Sequence, residues 1–285
     1  MRSAFADTML EVGKEDDKLV VLVGDISHNI LKPFAEACPN RYYNVGIMEP
    51  TIVGMAAGLA MSGLKPVAHT IAPFLIERSF EQLKLDFGYQ QLGGVMVSVG
   101  GAFDYSQLGC SHHTALDVAM VKSIERSIVI CPASPKEFNQ LFRQTYKRDQ
   151  LTYFRLSDKH GLDFDVKVGK AAKLKHGNRV TVVAVGPQLK TVLDADIPNA
   201  DVLYLHTVKP LDVNALAESY NKTGLVVVVE EHCHIGSVQE EIAGWGWKTK
   251  GRNLPARFQR GYGQKQDHLN MLGFTPELIR DFCRT

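Results

Sequence analysis

Short apolar, β-branched runs alternate along this chain with stretches whose apolar positions recur every three to four residues. The first run is Leu19–Val23, ending in Gly24-Asp25, and Pro66–Thr70, Val95–Val99, Ser127–Cys131 and Thr152–Arg155 follow. Near-continuous apolar runs of this length predict strands of a parallel sheet covered on both faces. Between them the periodicity predicts helices over Leu31–Ala37, Glu49–Met61, Leu75–Tyr89, Ala115–Val121 and Pro135–Tyr146. Right-handed crossovers then bring the strand ends, and any site, to one edge of the sheet.

From Ser157 to Asn178 the pattern lapses into charged, glycine-containing sequence, Ser157-Asp158-Lys159-His160-Gly161 and Lys173-Leu174-Lys175-His176-Gly177-Asn178. Such composition reads as an inter-domain linker over 158–177. A second set follows, with strands expected at Arg179–Val185, Asp201–Leu205, Leu225–Val229 and Ala256–Gln259, and helices near Gln188–Leu193, Asn214–Tyr220, Val238–Trp245 and Pro276–Phe282. The expected fold is α/β: two doubly wound domains, residues 1–157 and 178–285.

Charge narrows the function classes. The chain has 285 residues, and 32 Lys and Arg against 31 Asp and Glu leave a net charge of +1. That balance carries no basic footprint for sequence-independent binding of nucleic acid. No apolar run approaches the roughly 18–20 residues of a membrane span, so no membrane partner is expected. The start, Met1-Arg2-Ser3-Ala4-Phe5-Ala6-Asp7, has no apolar signal-peptide region, so a cytoplasmic location is expected. Five cysteines (Cys38, Cys110, Cys131, Cys233, Cys283) without a CxxC read as reduced thiols.

Neither GxGxxG nor GxxxxGK[ST] occurs, so dinucleotide and P-loop readings lose their main support. Glu49 stands at the start of an otherwise apolar helix, before Pro50. Two readings of it stay open: an acid complementing the helix dipole, or a carboxylate held against an apolar surface to exchange a proton with a bound heterocycle. A second cluster, Gly100 to His113, follows the strand Val95–Val99, where a ligand loop would emerge. Its two adjacent histidines, His112 and His113, diverge as neighbours and have no carboxylate at ligand spacing, so no metal site is expected there. Glu230-Glu231-His232-Cys233-His234 looks more like a metal cluster, but it sits at a strand end where such residues commonly face water.

Taken together, these segments resemble the C-terminal half of transketolase-type thiamine diphosphate enzymes, most closely the separately encoded small subunit of a split transketolase. The resemblance rests on Arg41 to Pro50, His69 to Gln82, Gly109 to His113 (similar to a Gly-Pro-Thr-His turn), Tyr153 to Leu156, His206 to Asp212 and Val229 to His232. It implies a thiamine diphosphate pyrimidine-binding domain followed by a transketolase C-terminal domain, and transfer of a two-carbon ketol unit between sugar phosphates. Glu49 would bond the aminopyrimidine ring nitrogen. Phe74 would stack on that ring, with Ile71 and Arg78 beside it. His112 would meet the substrate oxygens and assist proton transfer, and Arg2, Asp25, Ser27, Asn29 and Arg155 fall where the family grips the substrate and its terminal phosphate.

Two departures stand in the glycine loop: Gly100 where the family carries a phosphate-binding histidine, and Leu108 where an acid recognises a sugar hydroxyl. A larger one is an absence. The family holds the diphosphate through Mg2+ or Ca2+ with a Gly-Asp-Gly segment and a later asparagine, and this chain contains no Asp-Gly dipeptide. The resemblance therefore implies a diphosphate-binding partner subunit that holds the metal, in an α2β2 assembly within which this chain also pairs with itself. Two alternatives remain: the β subunit of a 2-oxoacid dehydrogenase E1 or a deoxyxylulose-phosphate-synthase-like enzyme, and a non-catalytic scaffold that stabilises a partner chain.

Overall fold

The structure, a computed structural model, describes residues 1–157, 162–163 and 165–284. The first half runs α1 (Arg2–Glu15), β1 (Leu19–Val23), α2 (His28–Ala37), β2 (Tyr42–Asn44), α3 (Glu49–Met61) and β3 (Lys65–Ile71). Helical turns around α4 (Phe80–Gln82) lead to β4 (Gly94–Val99), α5 (Asp117–Lys122), β5 (Ile128–Ile130), α6 (Pro135–Thr145) and β6 (Leu151–Arg155). The second half comprises β7 (Ala172–Lys175), β8 (Val180–Val185), α7 (Leu189–Asp194), β9 (Ala200–Leu205), β10 (Thr207–Lys209), α8 (Val213–Thr223) and β11 (Val226–Cys233). It closes with α9 (Val238–Gly244), β12 (Thr249–Leu254), α10 (Lys265–Met271) and α11 (Pro276–Phe282).

Two α/β sheets result, with strand orders β10-β5-β6-β4-β3-β1-β2 and β12-β11-β8-β9-β7. All pairings are parallel except at one edge of each, where β10 runs antiparallel to β5 and β7 antiparallel to β9. β1, β4 and β8 are buried along their whole length, which explains their near-continuous apolar sequences, interrupted only by Ser98 and Thr181, whose hydroxyls are hydrogen-bonded. Among the described residues no helix is long and apolar enough to cross a membrane.

Four local expectations differ from what is found. α1 arises where no helix was expected, because Phe5, Met9 and Val12 line one face and bury it. The expected strand at Ala256–Gln259 is not formed; the edge strand is β12, whose Thr-Lys-Gly-Arg-Asn sequence hides it from a search for apolar runs. The expected helix Leu75–Tyr89 is broken instead into two π-helical segments, Pro73–Glu77 and Leu83–Tyr89, either side of α4. β7 occupies part of 158–177: its lysines are those of a half-buried edge strand. Asp158 to Gly161 and Phe164 of that stretch lie outside the described residues. β10, moreover, comes from the second half but completes the first sheet.

The two sheets are joined through buried charge. Arg155, at the end of β6, is 1% exposed and donates from Nε to Asp117 Oδ2 at 2.8 Å. Its Nη2 donates to the main-chain carbonyl of Glu231, at 3.1 Å, on β11 of the other sheet. Asp117 Oδ2 also accepts from Tyr153, at 2.7 Å, so the Ser98 hydroxyl must donate to the Tyr153 oxygen, also at 2.7 Å. Gly101 is required here, since a Cβ would lie 2.7 Å from the Arg155 guanidinium carbon. A second bridge is made by Lys265 at the start of α10, which pairs with Glu231 at 2.9 Å and with Asp104. Burial disfavours the Lys265 ammonium, but Glu231 and Asp104 outweigh it and hold its pKa above the usual value. Removing one member of such a pair strands the other charge, at a cost of about 3–5 kcal/mol. Asp117→Ala is therefore expected to lose stability on that scale in urea unfolding; a loss below about 1 kcal/mol would contradict the role given to this pair.

Candidate active site

Glu49 opens α3 with Pro50 in the first turn, a position where proline's missing N–H costs nothing and an acid is favoured by the helix dipole. Ile52 and Val53, which follow in the same helix, are buried in the core against the sheet, and the Glu49 side chain is only 1% exposed. Its charge is met by Arg78, which donates from Nη1 to Glu49 Oε2 at 2.6 Å. The same guanidinium stands 4.4 Å from the centre of the Phe74 ring, within reach of a cation–π contact. Phe74 in turn meets the edge of His112 at 5.1 Å and 78°. Glu49, Arg78, Phe74 and His112, drawn from three separate segments, thus form one continuous row. Phe74 lies on a π-helical turn and Arg78 follows it directly, a local geometry common at functional sites.

The two histidines of the turn face opposite ways. His112 points to Phe74, whereas His113 packs against Phe103 at 5.1 Å and His268 at 5.3 Å. A cavity of about 330 Å³ opens on the His113 side, where Thr114 donates to Glu77 at 2.6 Å. Burial pushes the Glu77 carboxyl above the usual carboxylate range. Leu108, on the same loop, is exposed.

The other predicted residues gather at the ends of β1 and β3. Arg2 donates from Nε and Nη2 to the Ser27 hydroxyl, at 3.2 and 3.1 Å. Ser27 contacts His69 Nε2 at 2.9 Å, a buried histidine that its place in an apolar strand hides from a search for motifs. Asp25, in the left-handed region at φ 54°, is tied to Asn44 by two hydrogen bonds of 3.0 and 3.2 Å. Asn29 is exposed on the first turn of α2. Ile71, half-buried at the end of β3, borders Gly100, which has φ 79°. A side chain at position 100 would collide with the Tyr105 ring at 2.5 Å and with Ile71 at 3.0 Å, so Tyr105 fills the space that this glycine leaves.

Arg155 does not join them. Its guanidinium is buried between the sheets, facing Asp117 and the Glu231 carbonyl. Nor does the Glu230–His234 run form an open ligand cluster: Glu230 accepts from the main-chain N–H groups of Val238 and Gln239, both at 3.1 Å, and from Asn253 at 2.8 Å, capping α9. His232 links Glu230, at 3.1 Å, to Cys131, at 3.7 Å. That row has the order of a nucleophile, base and acid. Burial pushes the Cys131 thiol up to about 12, however, so it stays protonated and holds the interface between the sheets.

Residues 1–161 match the family of the transketolase pyrimidine-binding domain, and residues 169–279 that of the transketolase C-terminal domain. The chain belongs to the transketolase family. Among curated relatives, an apulose-4-phosphate transketolase subunit from Phocaeicola vulgatus is 30% identical over 83% of this chain and 80% of its own length. The 1-deoxy-D-xylulose-5-phosphate synthase of an Azoarcus species is 31% identical over 84% of this chain but 40% of its own. A solved structure, a split-gene transketolase described as an inactive beta4 tetramer, superposes with a TM-score of 0.89 at 28% identity, covering 99% of this chain and 96% of that one. In this transketolase-family chain the Glu49 row and the Arg2–Ser27–His69 contacts both lie in the pyrimidine-binding half.

His69 also makes stability depend on pH. Burial outweighs its bond to the Val97 carbonyl and lowers its pKa from 6.5 to about 4. A depressed folded-state pKa contributes stability that is present above pH 6.5 and is lost as the pH falls through 4. The expected loss over that window is on the order of 3 kcal/mol. Urea unfolding followed from pH 7 to 4 should show it, and His69→Gln should flatten the slope; an unchanged slope in the variant would count against this origin.

Proposed function

We propose that this chain is the small, C-terminal subunit of a two-component transketolase, transferring a two-carbon ketol unit between sugar phosphates with thiamine diphosphate bound against a separate subunit. The observation that carries this reading is the buried Glu49 carboxylate in line with Arg78, Phe74 and His112. An acid beside an aromatic face suits one end of the cofactor, the flat aminopyrimidine with its basic ring nitrogen. The residues present do not suit the other end: the sequence has no Asp-Gly dipeptide, and among the described residues no group of three His, Cys, Asp or Glu could hold a metal. Oxygen ligands for Mg2+ or Ca2+ would come from the partner.

When bound, the cofactor supplies a nucleophilic carbon. Glu49 would hold the proton at the pyrimidine nitrogen, and Arg78 keeps its carboxylate oriented. Phe74 and Ile71 give an apolar wall that excludes water. His112, half-buried at the open end of the row, would donate to substrate oxygens and carry a proton between them. Arg2, with Ser27, Asp25 and Asn29, is then the cationic edge for the phosphate. Exposed Ile47, Met48, Met55 and Met61 on and beside α3 support a protein partner over Glu49, consistent with an α2β2 assembly in which this chain also pairs with itself.

The similarity to a deoxyxylulose-phosphate synthase supports a second reading, in which the two-carbon unit transferred is an acyl unit left by decarboxylation of a 2-oxoacid rather than a ketol unit. One experiment separates them. Mixed with its cognate large subunit, thiamine diphosphate and Mg2+, the chain should transfer ketol units between sugar phosphates without releasing CO2 from pyruvate, and Glu49→Ala should abolish the transfer. CO2 release would favour the second reading, inactivity of the reconstituted pair a scaffold, and undiminished turnover of the variant would remove Glu49 from the chemistry.

A further inference from the structure

We infer that His69 is a positioning residue which, through the Ser27 hydroxyl, aims the Arg2 guanidinium at the phosphate of the substrate; the inference rests on the ketol-transfer reading above. The direction of every proton in the relay follows from what each atom can do. His69 Nδ1 lies 2.8 Å from the Val97 carbonyl oxygen, which can only accept, so Nδ1 carries the hydrogen. In the neutral ring Nε2 is then an acceptor, and the Ser27 hydroxyl 2.9 Å away must donate to it. The lone pairs of Ser27 Oγ are thereby turned to Arg2, whose Nε and Nη2 hydrogens they receive. The imidazole cannot swing away: it is fully buried in β3 with the Phe5 ring 4.2 Å from its own.

Two further observations show that the arrangement serves Arg2. Ser27 is the N-cap residue of α2, yet its side chain makes no bond to that helix and its backbone takes the left-handed conformation, φ 61°. The hydroxyl has been diverted from the use a serine normally has at this position. Arg2 is held along one edge only, Nε and Nη2, and among the described residues its Nη1 has no partner. The end of the guanidinium fork, Nη1 with the second hydrogen of Nη2, is therefore oriented and free for a bidentate anion. A long arginine side chain otherwise loses much rotamer freedom on binding; a fixed edge removes part of that cost in advance. The group recognised is a tetrahedral oxyanion, here the phosphate of a sugar phosphate.

The test uses the full-length chain and inorganic phosphate as the probe. Nitrogen NMR of the imidazole should show His69 neutral with hydrogen on Nδ1, and phosphate should shift the Arg2 Nε–H resonance in a saturable way. His69→Leu is expected to weaken phosphate binding about tenfold, the size of one oriented charge-assisted hydrogen bond. Ser27→Ala should do the same without touching the buried ring, which keeps the test decisive if His69→Leu does not fold. His69→Gln, whose amide oxygen can accept from Ser27, should return binding to within about threefold of the parent chain. Phosphate bound as tightly by Ser27→Ala or His69→Leu as by the parent, while Arg2→Ala loses it, would overturn the relay and leave the phosphate grip standing. Unchanged binding in Arg2→Ala, or hydrogen found on Nε2, would overturn the proposal, the former together with Arg2's place in the site.

Discussion

Arg155 is a guanidinium placed where water cannot reach it, at the end of a central strand and against the other sheet. Its charge must be neutralised within the protein, through Nε to Asp117 and Nη2 to main-chain carbonyls, and the surrounding architecture follows from that requirement. Asp117 supplies the counter-charge from α5 and so draws the loop that precedes it, with His112, onto the sheet edge. The Glu231 carbonyl supplies an acceptor from the second sheet, and Lys265 clamps Glu231 to Asp104. Gly101 lets the loop pass over the guanidinium without collision. Pairs of this kind add little net stability over a well-packed apolar core, but they are intolerant of misplacement. They fix how the halves meet, and hence where the 100–113 loop lies.

The site uses the opposite strategy. Its acid, Glu49, is buried but faces an arginine that is 44% exposed, so the pair stands at the boundary between interior and surface. Burial on one side preserves the strength of the interaction, and exposure on the other leaves the pair open to the surface. The π-helical turn at Pro73–Glu77 places Phe74 beside Arg78 and His112. Beside it, the Arg2–Ser27–His69 contacts and the Tyr105 ring over Gly100 line the same edge, so cationic, aromatic and apolar elements meet at the ends of parallel strands.

Chemistry at this edge is one-sided. An acid and an aromatic ring stand together, whereas a hard cation needs several oxygens converging at one point, and among the described residues no group of three His, Cys, Asp or Glu supplies them. Apolar side chains around the start of α3 remain open next to Glu49. In the assembly proposed above, the subunit that supplies those oxygens would also cover these side chains.

Much of this was legible in order along the chain. The near-continuous apolar runs announced the central parallel strands, because strands covered on both faces admit few polar positions, each of which must be paired inside the protein. The Glu49-Pro50 start of an apolar helix and the Gly109–His113 turn stood out as candidates because each is a short local motif, and the family resemblance added Phe74; the structure brings Glu49, Phe74 and His112 into one row. Edge strands β7 and β12 were not legible, because a half-buried strand has the composition of a loop; nor was β10, largely buried but only three residues long and paired with a strand of the first sheet. Neither was the fate of Arg155, Lys265 or His69. Whether a cation faces a ligand or a buried carboxylate, and which hydrogen bonds a buried histidine makes, is decided by neighbours that lie 28 to 161 residues away in sequence, such as Val97 for His69 and Asp104 for Lys265. Sequence alone determined the central strands, most of the helices and the reactive groups; only the tertiary structure decided the edge strands and which charges meet, because the electrostatics of a buried group depend on distance in space.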